Sequence, residues 1–204
     1  MLPAAKRADL EARVQRLCTE QVFDQAVSET LRSYGPEIVG FLGALAKDES
    51  AATEAFSLFC EHVWRGLPKF QWRSALRTWV YVVARNALRL TLRSARRRAW
   101  VPLSDARVDQ IAQEIRTSTA HFLRTEARDL VAQLRRELPA EDQQLLVLRI
   151  ARRMPWTEIA QVLHEGDMPL DEAGIRKEAA RLRQRYARAK ARLETMVEQH
   201  GDGS

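Results

Sequence analysis

Between Lys69 and Arg85 aromatic rings alternate with cations: Phe70, Trp72, Trp79 and Tyr81 stand among Lys69, Arg73, Arg77 and Arg85. Rings interleaved with positive charge suit one task well, stacking on unpaired bases beside a phosphate strand. Core packing is the competing account. It fits Trp79, which sits in an apolar stripe, better than Trp72, which follows Pro68 in an expected loop. A second set of chemically capable residues lies near the end of the chain: Arg176, Lys177, Arg181, Arg183, Gln184, Arg185, Arg188 and Lys190. A short apolar helix (TEIAQVL) and a polar break precede it, the order of a helix-turn-helix reader whose second helix enters the major groove. Arginine forks can bond guanine or clamp phosphate, and Gln184 can address adenine edges. A merely solvated basic helix is the bland alternative, and spacing alone leaves the two nearly level.

The charge distribution tips that balance. The 204 residues carry 33 Lys and Arg against 27 Asp and Glu, a formal net charge of +6. From Arg65 to Arg98 there are ten basic residues and no acidic one, and from Ile175 to Leu193 eight basic residues against Glu178 alone. The two islands hold +17, which leaves −11 for everything else. Solvated surfaces usually mix their signs, so two separated positive islands point to a polyanion touched in two places.

Enzyme chemistry has little foothold. No Gly-rich phosphate loop, HExxH, CxxC pair or nucleophile elbow occurs. The histidines His62, His121, His164 and His200 are scattered, and His62 beside Cys60 reads as helix packing rather than a zinc site. No metal or cofactor is expected. Two cysteines, Cys18 and Cys60, form no disulfide framework and suit a reducing cytoplasm. The N-terminus lacks a secretory apolar run, and no stretch is long and apolar enough to span a membrane.

The elements that must position these residues are helical. Every sustained apolar stripe repeats near 3.6 residues, and glycine (8) and proline (7) are scarce. Leu31, Tyr34, Ile38, Phe41, Leu42 and Leu45 mark one helix, which Gly35-Pro36 is expected to break near its middle. Phe56, Phe59, Cys60 and Val63 mark a second. Leu76, Trp79, Val80, Val83, Ala84, Ala87 and Leu88 mark a third, running into Arg93, Arg96, Arg97 and Arg98. The fold class is therefore all-α with two small helical domains. Residues 1–20 read as an N-terminal extension, 21–98 as the first domain and 99–126 as a linker. Residues 127–197 read as a second domain and 198–204 as a frayed tail. In the second domain, helices carry Leu130, Val131, Leu134 and Leu138, then Leu145, Leu146, Leu148 and Ile150, then Ile159, Ala160, Val162 and Leu163. The last helix is basic and spans about 171–197. Between Leu163 and Arg181 either that helix is extended at its N-terminal end or the turn is an enlarged loop, and Arg181 to Arg188 is favoured as the base-facing part.

The segment LPKFQWRSALRTWVYVVARNALRLTLRSARRR resembles the melting and −10-recognition regions of bacterial sigma factors of the extracytoplasmic-function group, within the sigma-70 family. LPAEDQQLLVLRIARRMPWTEIAQVL and RLRQRYARAKARLE resemble their C-terminal helix-turn-helix region. The resemblance covers about Gln21 to Glu194. It implies a non-enzymatic factor that directs core RNA polymerase to promoters and assists DNA melting. Promoter DNA is then a partner, with Phe70, Trp72, Ser74, Arg77, Trp79, Arg85, Asn86, Arg93 and Arg97 at the −10 element. Arg176, Lys177, Arg181, Arg183, Gln184, Arg185 and Arg188 would serve the −35 element. It implies docking of the helix from about Thr53 to Trp64, through Glu54, Leu58 and Glu61, on the clamp helices of the polymerase largest subunit, and contact with the flap. An anti-sigma protein is a further partner it allows. The alternative is a helix-turn-helix regulator that works without polymerase.

Overall fold

In the computed structural model, residues 3–94, 106–126, 130–166 and 169–201 are described, and among them every regular element is helical. Contacts divide the chain into two units, 1–123 and 124–204.

The first unit is built on three helices whose apolar stripes meet. Helix α2 (Phe23–Leu45) brings Leu31, Tyr34, Ile38, Phe41 and Leu42 inward. Helix α3 (Glu49–Gly66) brings Phe56, Phe59, Cys60 and Val63. Helix α4 (Leu76–Ser94) brings Leu76, Val80, Tyr81, Ala84, Ala87 and Leu88. Asp48 caps α3, its carboxylate accepting from the Ala51 amide at 2.8 Å. The expected break at Gly35-Pro36 does not occur, and α2 runs through both. Proline removes one intrahelical donor, a loss that a long, well-packed helix absorbs.

The stretch read as an N-terminal extension is helical over residues 4–19. Helix α1 (Ala4–Thr19) buries Leu10, Val14 and Leu17, and Arg13 pairs with Glu29 of α2 at 2.5 Å. The stretch read as a linker holds, over its described part, helix α5 (Ala106–Glu126). Val108, Ile111, Ala112 and Ile115 fall at i, i+3, i+4 and i+7, one helix face, and all are buried. Residues 99–105 lie outside the described part.

In the second unit, helix α6 (Leu130–Arg136) and helix α7 (Ala140–Leu146) precede a π turn at Val147–Ala151. Helix α8 (Trp156–Leu163) and the long helix α9 (Glu172–Gly201) follow. Leu134, Leu138, Leu146, Ala189 and Leu193 form a core against which Tyr186, Met196 and Val197 pack. Ile150 does not join its expected apolar face and is 53% exposed. A π turn holds more residues than an α turn, so it rotates the residues after it around the axis. Helix α9 also continues to Gly201, past the point where fraying was expected, and Gly201 is followed by residues outside the described part.

Candidate nucleic-acid interface

A 3₁₀ turn at Leu67–Lys69 ends α3 and delivers Phe70 into the loop before α4. Phe70 stacks on Trp79 of α4 with ring centres 4.9 Å apart and lies 4.8 Å from Trp72. The three rings are half-buried, so each keeps some surface in solvent. Gly66 gives the Trp79 ring room, since a Cβ there would sit 3.1 Å from Trp79 Cζ2 and the ring would have to give by a few tenths of an ångström. Trp72 has φ 57°, in the left-handed region that a bulky residue seldom adopts. Ser74 is half-buried in the same loop, its hydroxyl 3.4 Å from the Ala75 carbonyl oxygen. On α4, Asn86 and Arg93 are exposed together with Leu90, at i, i+7 and i+4, a single outward stripe.

Two cations assigned to DNA by sequence point inward. Arg77 is 2% exposed, and its Nε donates to Glu37 Oε1 at 3.0 Å. Tyr81 Oη donates to the same oxygen at 2.7 Å, and the Arg77 guanidinium lies 5.2 Å from the Tyr81 ring centre. Arg77 shares the stripe of Tyr81, Ala84 and Leu88 at four- and three-residue steps, so the helix itself carries it into the core. Arg85, beside Tyr81 and Leu88 on that side, is 4% exposed. Arg77 ties α4 to α2, and the burial of both cations leaves Asn86 and Arg93 as the outward groups. Arg97 lies outside the described residues. Nearby, burial pushes the Tyr34 phenol up to about 12, with Glu11 adding to the shift.

On α3, Glu54 and Leu58 are half-buried, whereas Glu61 is buried and pairs with Arg65 at 2.7 Å.

In the second unit α9 begins at Glu172, so the basic helix is extended at its N-terminal end. Asp171 caps it by accepting from the Gly174 amide at 2.7 Å. Arg176 and Lys177 stand exposed in its first turns, with Arg176 3.4 Å from Glu172. The stretch favoured as base-facing is more engaged within the protein. Arg181 grips Glu178 through two bonds, at 2.9 and 2.6 Å. That hydrogen bond is the main reason the Glu178 carboxyl lies below its ordinary value. Arg185 bonds Asp142 at 2.5 Å and also Glu141, both in the first turn of α7. Arg181, Arg185, Arg188 and Arg192 line an open groove of about 350 Å³ with Asp142. Gln184 and Arg188 are exposed.

Sequence reasoning missed several of these positions. Arg192 continues the stripe of Arg188 one turn on, a signal that was present. Trp156 lies under Arg149 at 4.8 Å and Arg183 at 5.9 Å, with Tyr186 edge-on at 5.4 Å. Glu37 gave no signal, because its partner is forty positions away.

Among the described residues no helix is long and apolar enough to cross a membrane, and no group of three His, Cys, Asp or Glu could hold a metal ion. Compared with known families, residues 30–98 match the model of sigma-70 region 2, a span that begins within α2 and includes α3 and α4. No curated protein and no solved structure matches the chain significantly.

Proposed function

On the premise that this chain belongs to the sigma-70 family through its region 2, with a role in transcription initiation alongside RNA polymerase, we propose that it selects promoters and helps to open them. The observation that carries this reading is the half-exposed ladder Trp72, Phe70 and Trp79, inside a segment without a single carboxylate. Such rings offer π-faces to extruded bases of one strand while neighbouring cations hold its phosphates. Asn86 and Arg93 then meet the −10 element from the outer stripe of α4, with Phe70, Trp72, Ser74 and Trp79 at the melted bases. Arg77 and Arg85 support that surface from within.

The second unit is proposed as the −35 reader, with α8 and α9 as the helix-turn-helix. The first turns of a recognition helix meet base edges in such motifs. Exposed Arg176 and Lys177 stand there, Arg176 meeting Glu172 only at 3.4 Å, whereas Arg181 and Arg185 hold carboxylates at 2.6 and 2.5 Å. Base reading is therefore assigned to Arg176, Lys177 and Gln184, and phosphate contact to Arg183 and Arg188. The factor docks on the polymerase clamp helices through α3, belongs to the extracytoplasmic-function group and acts in the cytoplasm.

Run-off transcription with core polymerase and the promoter of its own operon tests the proposal. A specific transcript is expected only when the protein is added. Promoter binding that is indifferent to polymerase would instead identify a helix-turn-helix regulator.

A further inference from the structure

Helix α5 lies outside the 30–98 match, so it is an addition to the region 2 helices. Its inward residues Val108, Ile111, Ala112 and Ile115 are at most 6% exposed. Ile115 closes on α2 at Gly35. A Cβ there would lie 2.6 Å from Ile115 Cδ1, and the three atoms nearest to it all belong to Ile115. Arg32 of α2 pairs with Glu114 at 3.0 Å. Arg116 then reaches α3, its Nη1 donating to Ser57 Oγ at 2.7 Å.

Ser57 lies among Glu54, Leu58 and Glu61, the residues assigned to polymerase docking. None of these three is exposed. Glu61 is two positions from both Phe59 and Val63, so at about 100° per residue it points nearly opposite the core face. It is nevertheless only 7% exposed. The outer side of α3 carries Glu54 and Glu61, Glu61 being paired with Arg65 at 2.7 Å, and Arg116 sets a second cation beside them at Ser57.

Resting on the docking reading above, we infer that α5 holds the docking face of α3 partly closed, with Arg116 standing where a cation of the polymerase clamp helices would otherwise sit. Polymerase seats fully once α5 has moved off. The surface therefore has two competing occupants, a segment of this chain and a basic helical partner. If the face is open one time in ten, the apparent Kd is about tenfold weaker than that of the freed face.

Binding of the full chain to core RNA polymerase tests this in two independent ways. Ile115→Asp with Arg116→Ala loosens α5 from its own side. Gly35→Leu loosens it from α2, where the new side chain meets Ile115 first. Both are expected to bind about tenfold tighter than the parent, with faster amide exchange over residues 54–61 and unchanged helix content. Arg116→Ala alone removes one hydrogen bond and is expected to move affinity the same way by a smaller factor. Unchanged or weaker binding in these variants would overturn the inference while leaving polymerase docking intact. If neither parent nor variants bind polymerase, the docking reading fails, and this inference fails with it.

Discussion

Trp72 holds a backbone conformation that costs a residue with a Cβ roughly 1–2 kcal/mol, and its ring leans on Phe70. A strained, half-exposed aromatic in a loop is where a ligand surface is found more often than a core. Trp72→Ala and Asn86→Ala are expected to impair promoter opening more than binding to closed duplex, since losing one stacked base typically costs about 1–3 kcal/mol. Permanganate reactivity of unpaired thymines, on duplex and on pre-melted templates, measures this; equal defects on both would refute it. In the second unit, Lys177→Ala should relax −35 preference by roughly 1–3 kcal/mol at particular base pairs. Arg185→Ala should leave base preference unchanged, which titration against substituted −35 sites will show. His62 gives a pH handle on the first unit: burial lowers its pKa from the ordinary 6.5, so the fold favours the neutral ring. Its stabilising effect is complete above about 6.5 and lost as pH falls through the lowered folded value. Urea midpoints should drop on acidification across that range, and His62→Gln should flatten the change. At this scale residue types were legible from sequence but their direction was not. Arg77 and Asn86 look equally suited to DNA until the helix phase and Glu37 separate them.

Among the elements, those with long stripes were legible. The repeat from Leu31 to Leu45 overrode Gly35-Pro36, because burial along a whole helix face outweighs one missing hydrogen bond. Helix α5 was harder to see, since Ala112 contributes to its face while barely registering as apolar, and only Val108, Ile111 and Ile115 stand out. The π turn after α7 was invisible, as nothing in VLRIA announces an extra residue in the turn. Asp48 offers a direct test of local design. Asp48→Ala removes the cap of α3 and should cost about 1 kcal/mol, read as a lower urea midpoint with unchanged slope. The extended start of α9 adds exposed Arg176 and Lys177 in its first turns to the cations that the family-like ending RLRQRYARAKARLE places further along.

For the whole molecule, each unit carries its own core, so the fragment 1–123 is expected to fold and unfold cooperatively by itself. A broad, non-cooperative melt of that fragment would show that its core is incomplete. The two basic islands remain the most informative feature of the chain, although formal charge overstates what a polyanion meets. The second unit brings its own counterions to α9: from the helix itself Glu172 for Arg176, Glu178 for Arg181 and Glu194 for Lys190, and from α7 Glu141 and Asp142 for Arg185. A phosphate strand arriving there displaces tethered carboxylates as well as dissolved ions, and a tethered ion gains little freedom on release. The entropy that normally makes such binding steeply salt-dependent is correspondingly reduced. A plot of log affinity against log salt should thus be shallower than the cation count of α9 implies. Glu141→Gln with Asp142→Asn should steepen it by about one unit, as Arg185 reverts to ions from solution. The helix is, in effect, partly buffered against the ionic strength of its surroundings.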